Sequence, residues 1–470
     1  MKDKDVTMKT KLKFSQTVFL ATMLFGMFFG AGNLIFPALM GQEAGWNLLP
    51  ATVGFLITGV GLPLLSVAAI GITRSDGLQE LSSKVGRGYS VFFTCALYLT
   101  IGPFFAIPRC ATTSFTIGVE PMLSGEREGF DWILMLFSLV FFAIVLAFSL
   151  WPGKILIWVG KILTPMFLVF LGILVIVALV SPMASVKDIE PVADYATKSS
   201  SFFTGFLEGY NTMDVLAGLA FGIVVVNVIR GLGVKDPGDV AAHTVRSGVF
   251  SCLIMAVIYF AVALVGVQSR GAFEVQANGG HVLSLIAQHY FGEAGLWIMA
   301  GMVTLACLKT SVGLITSISE TFQKMFPKAL SYRTWAIVFS VVSFLIANLG
   351  LNAIIDYSVP VLMFLYPLSI TLVVLALCGK WFRHARCVYV WVTGFTLVAA
   401  IFDLIKALPA GLLTRLHLQG VPEVVGGILP LYSLGLGWVC PAAAGLVIGL
   451  LHYFITRKRR QSSGVASAEQ

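Results

Sequence analysis

The chain has 470 residues, 57% of them hydrophobic and only 11% charged. A soluble domain carries about a quarter charged residues, which excludes an assembly of water-soluble domains. The net charge of +8 does not mark a nucleic-acid partner: the basic residues stand in short segments between apolar runs, and Arg457-Lys458-Arg459-Arg460 directly follows one.

The first apolar run follows Lys9, Lys11 and Lys13 and is uncharged from 14 to 42. That exceeds the ~7–15-residue core of a secretory signal, so it is expected to be retained. In chain order the apolar runs predict twelve spans, at about 14–40, 47–72, 88–107, 132–151, 155–181, 202–229, 247–268, 295–319, 334–351, 354–378, 388–405 and 431–455. Each must be helical, because lipid offers no partner to a bare backbone. With the N-terminus cytoplasmic, 22 of the 31 Lys and Arg fall in inside segments and 7 outside, Arg109 and Arg127 among the latter. Lys161 and Lys309 lie within spans. This asymmetry predicts a multi-pass protein with both termini cytoplasmic.

Two spans are interrupted. The first contains Phe29-Gly30-Ala31-Gly32-Asn33-Leu34-Ile35-Phe36-Pro37, and the sixth contains Glu208-Gly209-Tyr210-Asn211-Thr212-Met213-Asp214. Glycines also permit close helix packing, which suits Gly218 and Gly222. Breaks flanked by Asn33 or by Asn211, Thr212 and Asp214 read instead as unwound backbone, which is tolerated at that depth only where it lines a cavity. The broken spans open successive sets of five, 14–181 and 202–378, and an odd number of spans inverts the second set. The expectation is an all-α integral membrane fold: a 5+5 inverted repeat with interrupted helices 1 and 6, plus two accessory helices over 388–455. A segment 1–13 and a tail 456–470 would flank it. Paired breaks in such repeats mark the substrate site of many secondary transporters. Half-helix N-termini suit a carboxylate, and freed carbonyls suit a hard cation.

An enzyme needs convergent acids, a His pair or a nucleophile motif within the spans, and none is visible. Cys95, Cys110, Cys252, Cys307, Cys378, Cys387 and Cys440 are scattered without a Cys-x-x-Cys pair, and no His-Glu-x-x-His occurs, so no zinc centre or other cofactor is expected. A channel would carry a continuous polar stripe or a charged ring, whereas the polar residues here concentrate at two breaks.

The span 1 motif, the Pro152-Gly153-Lys154 turn, Gly209-Tyr210-Asn211-Thr212-Met213-Asp214 and the stretch from Pro360 to Pro367 resemble the bacterial branched-chain amino acid:cation symporter family, over essentially the whole chain. The resemblance implies a bacterial cell membrane and uptake of leucine, isoleucine and valine driven by Na⁺ or H⁺. It also implies the amino acid–polyamine–organocation superfamily fold. On that fold Ala31, Gly32 and Asn33 would take the substrate carboxylate, and Tyr210, Asn211 and Thr212 the amino group. Phe104, Met213 and Phe221 would close over the side chain. The fold's cation site, a possible Na⁺ site, would pair span 1 carbonyls near Gly30 with the hydroxyls of Thr310 and Ser311 and the carbonyl of Cys307. An exchanger or a cation-independent transporter would have the same architecture.

Four further charges bear on coupling. Lys309 precedes Thr310, about 100° around the helix from it; it would face a cavity, pair with a carboxylate, or place its charge where Na⁺ would bind. Asp214 would begin the helix after the second break, where an acid complements the dipole. Glu208 would carry a proton or pair. Asp356, near the end of span 10, would belong to an outer gate or face water.

Overall fold

The computed structural model describes residues 12–123, 131–150, 155–234 and 236–466, without the side chains of Phe19, Met27, 155–167, Pro237 and 458–466. Arg127, the Pro152-Gly153-Lys154 turn, the Lys161 side chain and most of the segment 1–13 therefore lie outside the described residues. Those described are helical, with no strand among them.

Every expected span has its helix. Span 1 comprises Phe14–Phe28 and Gly32–Ala44, and span 2 Leu48–Leu56 and Leu62–Thr73. Span 3 comprises Arg87–Leu99 and Ala106–Gly118, followed by Trp132–Leu150 and Ile155–Val180 as spans 4 and 5. Span 6 comprises Lys198–Glu208 and Asp214–Gly231; span 7 is Pro237–Ser269 and span 8 Gly279–Met325. Spans 9 to 12 are Tyr332–Ala347, Leu351–Cys378, Arg386–Ala407 and Val439–Ala466. Among the described residues nine helical stretches are long and apolar enough to cross a membrane, and shorter apolar helices occur in spans 1, 5 and 9.

Local chemistry sets several starts. Thr197 accepts from the Ser200 N–H, Asp236 from Gly238 and Asp239, and Asn278 from Gly280 and His281, satisfying helix donors that have no partner of their own. Several boundaries differ from expectation: span 7, expected at 247–268, begins at Pro237, and span 12, expected at 431–455, runs Val439–Ala466. Span 8, expected at 295–319, is preceded by a helical arm that begins at Gly279 and turns at Gly292 (φ +60°). Span 3, expected to end at 107, continues to Gly118 after an interruption at Gly102 and Pro103.

Glycine lets two pairs of helices approach backbone to backbone. A Cβ on Gly54 would collide with Phe202 O, and one on Gly205 with Ala51 O, so span 2 lies directly on span 6. Thr58 Oγ1 adds a hydrogen bond to Phe206 O at 2.7 Å. A Cβ on Gly41 or Gly266 would strike Ala263 O or Ala38 O, respectively, which seats the second half of span 1 on span 7. Without a hydrophobic drive between helices in lipid, such close packing is a main source of their association.

Candidate functional site

The two breaks face each other. After Phe28 the chain leaves the helix, and the freed Gly30 N–H donates to Asn33 Oδ1 at 2.9 Å. In span 6 the turn Gly209–Thr212 ends at Met213, held at φ +61°, a left-handed conformation disfavoured for a residue with a side chain. Asp214 then opens the next helix, as expected.

Asn33 and Asp214 join the breaks directly. Asn33 Nδ2 donates to Asp214 Oδ2 at 2.6 Å and makes a short contact with the Tyr259 hydroxyl. That hydroxyl also donates to Asp214 Oδ2, at 3.2 Å. All three residues are buried. The Asn33 side chain thus links the two breaks.

Between them is a cavity of about 50 Å³. Span 1 lines it with Phe28 and Gly30 to Asn33, and span 3 with Ile101, Ala106, Arg109 and Cys110. Span 6 contributes Thr212, Met213, Asp214, Ala217 and Phe221, and span 8 Thr310 and Leu314. It is far smaller than the ~300–1,000 Å³ of drug-sized sites, so a leucine-sized ligand requires the bundle to open around it.

Of the expected substrate contacts, Ala31, Gly32, Asn33, Thr212, Met213 and Phe221 line this space, as do Gly30, Asp214 and Thr310 from the expected coupling set. Others lie elsewhere. Tyr210 is buried with its ring stacked on Tyr366, centroids 4.1 Å apart. The Asn211 side chain turns away to Glu208 Oε2 at 3.0 Å. Phe104 is 40% exposed and off the cavity wall, because the interruption at Gly102 rotates it outward. Cys307 and Ser311 are buried behind Thr310. The Thr310 hydroxyl donates to Ala306 O one turn back at 3.1 Å, which leaves its lone pairs for a cation; it packs against Gly30. Lys309 is directed to span 1, where a Cβ on Gly26 would meet its Nζ at 3.2 Å. Asp356 is exposed. Among the described residues no group of three or more His, Cys, Asp or Glu could hold a metal.

Arg109 corrects the expectation most. Charge alternation along the sequence assigns it to an outside loop, yet it is 3% exposed and stands in the second half of span 3, on the cavity. Nη1 donates to Asn211 O at 2.7 Å, and the guanidinium lies over the Phe36 ring at 5.1 Å. The signal was present: Arg109 is the one charge between 88 and 119, and Gly102-Pro103 precedes it. A window ended at residue 107 placed it outside.

A helical membrane protein with two broken spans meeting at a buried cavity is a transporter of the inverted-repeat class. The solved structure of inward-facing Mhp1 matches with a TM-score of 0.60 over 94% of this chain and 91% of that one, at 15% identity. Mhp1 in a closed conformation, described as a nucleobase-cation-symport-1 family transporter, matches at 0.58 over 92% and 91%, also at 15% identity. At that identity the likeness is one of fold. The family model "Branched-chain amino acid transport protein" matches residues 13–456. A branched-chain amino acid permease BrnQ of Lactobacillus delbrueckii subsp. lactis is 52% identical over 96% of this chain and 100% of its own length. That of Bacillus subtilis (strain 168) is 41% identical over 96% and 100%. The chain belongs to the branched-chain amino acid transport protein family, a family of membrane transporters and not of enzymes.

Proposed function

We propose that this protein imports leucine, isoleucine and valine by symport with a cation, Na⁺ or H⁺, through the cavity between the two breaks. The observation that carries this reading is the convergence of freed backbone and apolar side chains at that cavity, in a chain of this family. Gly30 to Gly32 present backbone at a helix N-terminus, where a carboxylate is favoured. Phe28, Ile101, Ala217, Phe221 and Leu314 provide an apolar wall for a branched side chain.

Two features bear on the cation. Thr310 against Gly30 offers oxygen ligands at the break, which suits Na⁺. Asp214 is a buried carboxylate beside the cavity, which suits a proton. Reconstituted vesicles given a Na⁺ gradient, a H⁺ gradient or neither separate these cases by initial rates of radiolabelled leucine uptake. Accumulation driven by one gradient is expected. Uptake that needs only unlabelled amino acid on the far side would establish exchange in place of symport, and no leucine uptake under any condition would overturn the reading.

A further inference from the structure

Arg109 is a buried cation whose donors are mostly uncommitted. Of the guanidinium's five N–H groups, the single hydrogen bond among the described residues is from Nη1 to Asn211 O at 2.7 Å. A Cβ on Gly32 would lie 2.7 Å from Nη2, so the group occupies room that only glycine leaves at the span 1 break. No carboxylate of the described residues approaches it within ion-pair distance. Asp214 lines the same cavity from the facing span. Its Oδ2 accepts hydrogen bonds from Asn33 and Tyr259.

A membrane interior tolerates ionised groups that pair or serve function. Here a basic and an acidic side chain line one cavity from facing spans without a direct ion pair. An α-amino acid zwitterion carries the complementary charges on one carbon. It can neutralise both residues at once, whereas a monovalent acid or amine leaves one of them unpaired.

We propose that Arg109 binds the α-carboxylate of the substrate, with Asp214 facing its α-ammonium, so that this pair selects a zwitterion against molecules carrying only one of the two groups. The proposal rests on the reading of the cavity as the amino acid site. It adds to the span 1 backbone a charged, forked anchor for the carboxylate.

The test is binding to the purified full-length protein of leucine, of 3-methylbutylamine (leucine without its carboxylate) and of 4-methylpentanoate (leucine without its ammonium). The wild type should prefer leucine to either by at least about tenfold, the scale of one charged hydrogen-bond pair. Arg109→Gln should weaken leucine until it lies within about threefold of the amine, leaving the amine unchanged. Arg109→Lys, which keeps the charge but loses the fork, should retain part of the preference. If R109Q does not fold, R109K decides: selective weakening of leucine supports the carboxylate role, and equal weakening of leucine and amine shows that Arg109 only pins Asn211. Retention of the full wild-type preference in a folded R109Q or R109K overturns the role of Arg109 alone. A wild type that does not bind leucine overturns the reading of the cavity, and this proposal with it.

Discussion

At the scale of single residues, the junction of the two breaks depends on one neutral amide. Asn33 can donate to Asp214 because its Nδ2 carries protons, while its Oδ1 accepts from the Gly30 N–H. Asn33→Asp would set two carboxylates 2.6 Å apart in a buried site. Like charges there cannot both ionise, so the pair would either separate the breaks or take up a proton. Initial leucine uptake in vesicles is expected to fall by at least about 100-fold, and near-normal uptake would sink the role given to this contact. Gly32 is constrained from the other side, because a methyl at that position presses on the Arg109 guanidinium. Gly32→Ala should weaken leucine binding even though it removes no hydrogen bond, by displacing a group that must sit within a fraction of an ångström.

Helices and loops add constraints that no single residue carries. Span 2 and the first half of span 6 are in backbone contact at Gly205 and Ala51. Gly205→Ala should therefore lower the unfolding temperature, as overpacking costs about 1–3 kcal/mol. Gly394, in span 11, has nothing within 4 Å of a built Cβ, and Gly394→Ala should be neutral or slightly stabilising, since glycine within a helix costs about 0.5–1 kcal/mol against alanine. Thermal unfolding of the two variants beside the wild type tests the contrast.

A second constraint joins two loops on the predicted cytoplasmic side, where Lys84 Nζ lies 3.4 Å from His384 Nδ1 and Tyr389 OH lies 2.9 Å from the same atom. Burial, then the neighbouring Lys84 and Lys380, hold the His384 ring below the usual histidine range. Burial likewise pushes the Lys84 ammonium down. A histidine lowered in this way binds fewer protons folded than unfolded, so its contribution to stability is present above about pH 6.5 and is lost as pH falls below that. The unfolding temperature of the wild type should decline between about pH 6.5 and 5, by a few degrees at most for a half-buried pair still screened by solvent, and His384→Gln should flatten that decline.

Across the whole molecule, glycine-mediated backbone contacts join span 2 to span 6 and span 1 to span 7, and we take these four spans as a first unit whose spans 1 and 6 face spans 3 and 8, the second, across the cavity. A ligand seated there touches both units. It should stabilise the folded protein by mass action, by about 2.7 kcal/mol at a hundred times its dissociation constant. Leucine should raise the unfolding temperature of detergent-solubilised protein, lysine should not, and Asn33→Asp should abolish the shift. Rocking of the first unit about the second, as expected for this fold, would have to break the link between Arg109 and Asn211 O, because that hydrogen bond crosses from one unit to the other.

Residue order alone was enough for the membrane, the twelve helices and the positions of both main breaks. Lipid leaves the backbone no alternative to helix, and uncharged runs, glycines and a polar residue at depth can be read one residue at a time. It was also enough for Asp214 as the first residue after the second break. Tertiary structure decided which side chains face the cavity. Phe104 and Arg109 differ by five positions, yet the interruption at Gly102 turns the phenylalanine outward and carries the arginine into the core. Hydropathy read in windows cannot place a single charge at the end of a run. Nor can spacing show that Asn33 meets Asp214, 181 residues away, since that contact exists only once span 1 has packed against spans 6 and 7.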